Sequence, residues 1–366
     1  MLPILLLLSL VVSSSAFSLP FKVHAAVTNI TKGGQTLEEA GIYFVANLTV
    51  GTPGQLFTVV IDTTTSDLLI PDVSCTSDSC AGKRKFDSSL SQTYYKFGQT
   101  SSVTNALGTF NGFVAADWLV LGDRKTDLIT IPSIKFLLTT KLGDNLRNIN
   151  ADGILGLAFT SDSSIGANSP FVQGVRQGDI SDSFFSIWLE HYGQTMDSGT
   201  HGVIYYGGLD PVHCMPDAQY FPLQEEKLFQ AMVFGFSSAG KSATNSNDNK
   251  VPSYITTVNN YITAPAKYLS AIFDSIGENY NAISRWPATV DCYTKITLTF
   301  KFQGGTTVTV TERDLVQSYK FQCILMVMPG KDNGIIELGL PFLRGRCTYF
   351  DVVANRIGVA TAKLQD

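Results

Sequence analysis

Apolar or β-branched residues recur at every second position over a succession of strand-length segments. YFVANLTV, FTVVID, GFVAADWLVLG, HGVIYYGG, KITLTFKFQG, TTVTVTE and NRIGVATAK follow this pattern, separated by Gly, Asp, Asn and Ser turns. The pattern predicts a mostly-β protein. Helical spacing is confined to short pieces. The clearest is APAKYLSAIFDSIGENY, where Pro265 stands at the start and Tyr268, Ile272 and Phe273 share a face. The stretch 237-SSAGKSATNSNDNKV-251 is the most polar and least periodic and is expected to be an exposed loop. A softer break at 193-GQTMDSGTHG-202 divides the chain into halves of similar length.

The halves echo one another. In the first, VVIDTTTSDLLIP is followed much later by ADGILGLAF; in the second, SYITTVNNYITAP is followed by GIIELGLPFL. Each unit runs strand, hydroxyl-rich turn, strand, Pro, and then apolar-Leu-Gly-Leu, so two related β lobes facing each other are expected.

Composition narrows the function classes. With 366 residues, 44% hydrophobic and 16% charged, the chain can bury a large core. A net charge of −5 without any long charged block gives no footprint for nucleic acid or anionic lipid, and neither is expected as a partner. Residues 1–16 read as a secretory leader, an apolar run ending in SSSA. A membrane anchor is the alternative, but the run is too short to span comfortably and no later apolar stretch is long enough. Secretion suits the even set of six cysteines, Cys75, Cys80, Cys214, Cys292, Cys323 and Cys347. A local disulfide could close the loop between Cys75 and Cys80. The four histidines, His24, His191, His201 and His213, are scattered without metal-ligand spacing, so no metal or other cofactor is expected. Asn29 and Asn47 head Asn-x-Thr sequons that could carry glycans in a secreted chain.

Taken in order, YFVANLTVGTPGQ, FTVVIDTTTSDLLIPD, the Cys75–Cys80 loop, ADGILGLAF, GVIYYGGLD, VDC at 290–292 and LGLPFLRGRCTYFDVVANRIGVA resemble the landmarks of the pepsin-like aspartic peptidases. The resemblance covers nearly the whole chain after the leader. It implies a bilobal β fold with a peptide-binding cleft between the lobes and a hairpin flap above it. The expected division is a leader at 1–16, a short N-terminal segment at 17–42, a first lobe at 43–194 with the Asp62 loop and the flap, and a second lobe at 195–366. A monomer is expected, with peptide or protein as the cleft's partner.

The chemistry implied by this resemblance needs two aspartates, one from each lobe, close enough to share a proton. One then acts as base toward a bridging water while the other, protonated, donates to the substrate carbonyl. Asp62 matches the first. In the second lobe the matching loop is 256-TTVNNYITAP-265, which puts Thr256 where the second aspartate belongs. Asp248 and Asp274 lack the right flanks to replace it. A threonine hydroxyl can bind water but cannot exchange a proton near working pH, and losing a general acid or base costs about 10²- to 10⁴-fold in rate. The family's glycines after each Asp-Thr are replaced by Thr64 and Val258, whose branched side chains are expected to crowd the cleft. In the flap, 103-VTNALGTFNG-112, the family's tyrosine is replaced by Asn105, with Gly108 at the following turn. The segment between Ala16 and Tyr43 is shorter than the basic prosegment that such zymogens carry.

The scaffold is retained by the same comparison. Thr63 and Thr257 match threonines that hydrogen-bond between lobes, and Cys292 and Cys323 match the second-lobe disulfide. Cys214 and Cys347 are left either to pair or to remain free thiols. The expected function is thus a secreted aspartic endopeptidase homologue without normal proteolytic activity, a pseudo-peptidase that binds peptide or serves structurally. The alternative is a weak or atypical endopeptidase using Asp62 with another partner. The motif 235-GFSSAGKS-242 fits the phosphate-cradling P-loop pattern, but the residues after it make a poor helix, and a hairpin turn is the better reading. No Gly-x-Ser-x-Gly elbow and no His-Glu-x-x-His pattern occurs, so serine and zinc hydrolases have no support.

Overall fold

The computed structural model describes residues 32–40, 43–122, 128–192, 201–238, 240–242, 250–277, 287–319, 321–331 and 333–363. The expected leader at 1–16, Asn29, Asp248 and most of the polar stretch 237–251 lie outside the described residues.

The protein is mostly β and bilobal. Its architecture follows from one arrangement used twice. In the first lobe, strand Gln55–Asp62 lies parallel to Gly153–Gly156, which is antiparallel to Leu68–Pro71, which is in turn parallel to Ile129–Lys141. In the second, Val251–Ile255 lies parallel to Ile336–Leu338, which is antiparallel to Ile262–Ala264, which is parallel to Val327–Pro329. Each apolar-Leu-Gly-Leu segment therefore threads between two strands joined by a hydroxyl-rich loop. The glycine in each is required by close approach. A Cβ on Gly156 would stand 2.5 Å from the Asp67 nitrogen, and one on Gly339 would stand 2.2 Å from the Asn259 carbonyl oxygen. Gly153–Gly156 is buried on both faces, which is why it shows no polar alternation.

The first lobe's strands continue into a ladder that joins the lobes. Strand Gly33–Ala40 pairs with Gly202–Tyr206 through residues 33–37 and with Tyr43–Val50 through residues 38–40. The antiparallel order then continues through Phe184–Leu189, Arg346–Asp351, Arg356–Thr361 and Gln219–Pro222. Alternation predicts a first strand at Tyr43. GGQTLEEA has Leu37 as its only bulky apolar residue; the ladders at its two ends, not alternation, make it a strand.

The remaining expectations concern smaller elements. Helix Ala266–Ser275 follows Pro265 and buries Tyr268, Leu269, Ile272 and Phe273. The P-loop-like stretch is a hairpin, with Ser237 opposite Ser242 and Ser238 opposite Lys241. All six cysteines are paired, as Cys75–Cys80, Cys214–Cys347 and Cys292–Cys323, at Cα separations of 6.1, 5.8 and 5.1 Å. The free-thiol alternative for Cys214 and Cys347 is thereby removed. Asn47 stands exposed on strand Tyr43–Val50, its Oδ1 accepting from the Thr58 hydroxyl at 2.7 Å.

Candidate functional site

The two hydroxyl-rich loops leave their sheets at equivalent points. Asp62 is the last residue of its strand and lies opposite Gly156. Ile255 ends the equivalent strand opposite Leu338, so Thr256 lies at the level of Gly339, the counterpart of Gly156. The backbone supports the match: the Thr256 N–H donates to the Leu338 carbonyl at 3.1 Å.

Across the lobes, the residues that follow bind one another reciprocally. The Thr63 N–H donates to Thr257 Oγ1 at 3.2 Å, and the Thr257 N–H donates to Thr63 Oγ1 at 3.2 Å. Each hydroxyl then donates onward, Thr257 to the Ile61 carbonyl at 2.7 Å and Thr63 to the Ile255 carbonyl at 3.3 Å. Both threonines are buried, so all four bonds lie out of water, where a lost partner leaves an unsatisfied polar group. Thr257→Val keeps the shape but strands the Thr63 N–H and the Ile61 carbonyl. It is expected to cost about 2 kcal/mol in a urea unfolding experiment, while Thr257→Ser stays near wild type. Equal stabilities for the two variants would mean that the reciprocal bonds hold nothing.

This symmetry brings Asp62 and Thr256, each preceding one of the bonded threonines, to the same interface. Both are buried. Asp62 Oδ1 accepts from the Thr64 N–H at 2.7 Å and the Thr64 hydroxyl at 2.6 Å. Thr256 Oγ1 accepts from the Val258 N–H at 3.1 Å, the same two-residue turn with an alcohol in place of the acid. Asp62 Oδ2 is buried and has no hydrogen-bond partner among the described residues.

Electrostatics at Asp62 are dominated by burial, which pushes its carboxyl up to about 6; the two Thr64 bonds oppose the shift and the charge of Asp162 adds a little to it. Asp162, half-buried, is also raised to about 6, by its own burial first, with Lys227 lowering it and Asp67 raising it. Neither oxygen of Asp62 accepts or donates a hydrogen bond to another carboxyl among the described residues. Asp67 is buried, held by the Ser163 hydroxyl at 2.6 Å and the Ser164 N–H at 2.9 Å, and burial raises it too. Tyr43 lies within reach of the Asp62 field: burial first, and the Asp62 charge second, push its phenol above its ordinary value.

The sequence reading singled out neither Asp67, Asp162 nor Tyr43. Asp67 had a visible signal, an acid within the strand-turn-strand unit of Asp62; the other two come close only through the fold. Thr64 and Val258 stand half-buried beside the site. Val258 reaches from the second lobe onto the first lobe's cluster of apolar side chains, where Tyr43 also packs. Asn105 and Gly108, expected in the flap, face each other across a hairpin turn, and Gly108 takes a φ of +113° that favours glycine. No group of three or more His, Cys, Asp or Glu among the described residues could hold a metal ion.

The eukaryotic aspartyl protease family model matches residues 43–362. The chain is 31% identical over 325 residues to "Aspartic protease 6" of Caenorhabditis elegans, covering 87% of this chain and 81% of that protein. It is 29% identical over 327 residues to "Gastricsin" of Oryctolagus cuniculus, covering 87% and 81%. It is 30% identical over 330 residues to "Probable vacuolar protease A" of Arthroderma benhamiae, covering 87% and 78%. Among the described residues no helix is long and apolar enough to cross a membrane.

Proposed function

Because the chain belongs to the eukaryotic aspartyl protease family, we propose that it is a secreted, monomeric member that has kept the interlobe cleft for binding peptide and has lost peptide-bond hydrolysis. The observation that carries this reading is Thr256, buried at the position symmetric to Asp62. Two facing acids can divide the work of base and acid over one water; an acid and an alcohol cannot, because the alcohol neither takes nor gives a proton at working pH.

Binding does not need that division of labour. Below a pH of about 6 Asp62 carries a proton, and with Oδ1 occupied by Thr64 its free Oδ2 is the atom that donates to a peptide carbonyl. Above that pH the same oxygen is an unpaired anion that repels a carbonyl. Peptide affinity is therefore expected to weaken as pH rises through about 6.

The test uses protein collected from the medium of expressing cells and a pool of fluorescent peptides between pH 3 and 8. The expected result is saturable binding that weakens with rising pH, with no cleavage above the background of Asp62→Asn. A second reading, an atypical endopeptidase, is favoured by Asp162, the acid whose field reaches Asp62. Cleavage that disappears in both Asp62→Asn and Asp162→Asn would establish it and overturn the first.

A further inference from the structure

Hairpin tips ordinarily stand in water. The hairpin formed by Tyr95–Asn105 and Gly108–Leu121 does otherwise. Its two-residue turn is Ala106 and Leu107, and while Ala106 is exposed, Leu107 is 0% exposed. The Leu107 side chain belongs to the same buried cluster as Val103, Phe110, Leu142 and Leu146, and Val258 and Tyr43 pack against that cluster. The cluster therefore runs from the hairpin tip to the second-lobe loop that carries Thr256.

Backbone contacts hold the tip in the same place. Asn145 Nδ2 donates to the Ala106 carbonyl at 3.1 Å, and Asn105 Oδ1 accepts from the Leu107 N–H at 2.8 Å, shaping the turn so that its leucine points inward. The segment beneath comes close enough that a Cβ on Gly143 would stand 2.3 Å from the Leu107 carbonyl oxygen, and one on Gly108 would stand 2.9 Å from the Gly143 Cα.

We propose that Leu107 is a latch that pins the hairpin tip onto the segment around Leu142–Leu146, so that in the resting protein the hairpin is a fastened strap and not a freely moving lid. Opening the strap exposes a whole leucine side chain, which corresponds to a bias of about 30-fold or more toward the fastened state. A ligand whose path to Asp62 requires the strap to open has to overcome that bias. This consequence rests on the peptide-binding reading above, whereas the latch itself does not.

Amide hydrogen exchange read by mass spectrometry on the full chain separates the two. Residues 103–110 are expected to be protected in the wild type and to exchange about 30-fold faster in Leu107→Ala, with Leu107→Met close to wild type and residues 55–62 unchanged in all three. Gly143→Ala, whose methyl lands on the Leu107 carbonyl, lifts the tip from below without touching the leucine and is expected to speed the same amides. Tighter binding of a fluorescent apolar octapeptide by Leu107→Ala would extend the latch to ligand entry. Faster exchange with unchanged peptide affinity would keep the latch and count against the binding reading. If residues 103–110 exchange in the wild type like an open loop, or no faster in Leu107→Ala and Gly143→Ala than in the wild type, there is no latch.

Discussion

Thr256→Asp combined with Val258→Gly and Thr64→Gly is expected to yield an acid-optimum endopeptidase, with peptide cleavage at least about 10²- to 10⁴-fold above the parent. The scaffold for the new acid is already present. Thr256 Oγ1 accepts the Val258 N–H, and an aspartate oxygen can accept the same bond, as Asp62 Oδ1 does from Thr64. The reciprocal threonine bonds between Thr63 and Thr257 fix the two loops against each other, so the second carboxyl enters at the interface that holds the first. Two buried acids that face each other closely enough share one proton, which supplies the base and the acid together. The glycine changes are needed for a separate reason. Val258 packs onto the first lobe's cluster, and the Thr64 hydroxyl occupies Asp62 Oδ1 at 2.6 Å. Removing both side chains gives water and substrate room while keeping the backbone N–H bonds. The control is the same triple variant with Asp62→Asn, which should return to background. A folded triple variant that stays inert across pH 3 to 6 would show that more than the missing acid separates this chain from turnover.

How much of this site could be read from the sequence depends on the range of the interactions involved. Asp62, Thr63, Thr256 and Thr257 were legible because the strand-turn-strand unit recurs, and a local motif carries its geometry with it. The Cys75–Cys80 pair was legible in its short loop and the Cys292–Cys323 pair through the resemblance, whereas Cys214 and Cys347 stayed open, since spacing does not fix connectivity. Strand Gly33–Ala40 was not, because a strand held by two partner strands, one at each end, needs no alternation of its own. The field of Asp162 at Asp62 joins residues a hundred positions apart and exists only after folding. Val258 could be recognised as bulky in place of glycine, but its contact with the other lobe could not. Leu107 stands in a turn, where the polarity rule for loops predicts exposure; its burial is a tertiary decision made by Leu142, Gly143 and Leu146.

Asp62→Asn is expected to raise stability at pH 7.5 by about 3 kcal/mol and to change it little at pH 4. The sign follows from the direction of the shift. An acid that titrates near 3.9 in the unfolded chain and at about 6 when folded binds its proton more tightly in the folded state. Stability is therefore highest with the proton on. It declines as pH rises between those two values, and the loss is complete above the folded one. Burial without a counter-charge is the cause, and the shift of about two units sets the size. Asparagine keeps the carbonyl that receives both Thr64 donors and carries no charge at any pH, so it abolishes this part of the slope. Asp162 contributes a slope of its own, which cancels in the difference apart from its small charge coupling to Asp62. Urea unfolding of the two proteins at pH 4, 5, 6 and 7.5 checks the point. Curves that separate progressively with pH locate the buried charge at Asp62. An offset constant across the range would assign the effect to packing, and Asp62 would then carry its charge in the folded protein at no special cost, leaving it available to bind cations and unfit to donate to a peptide carbonyl.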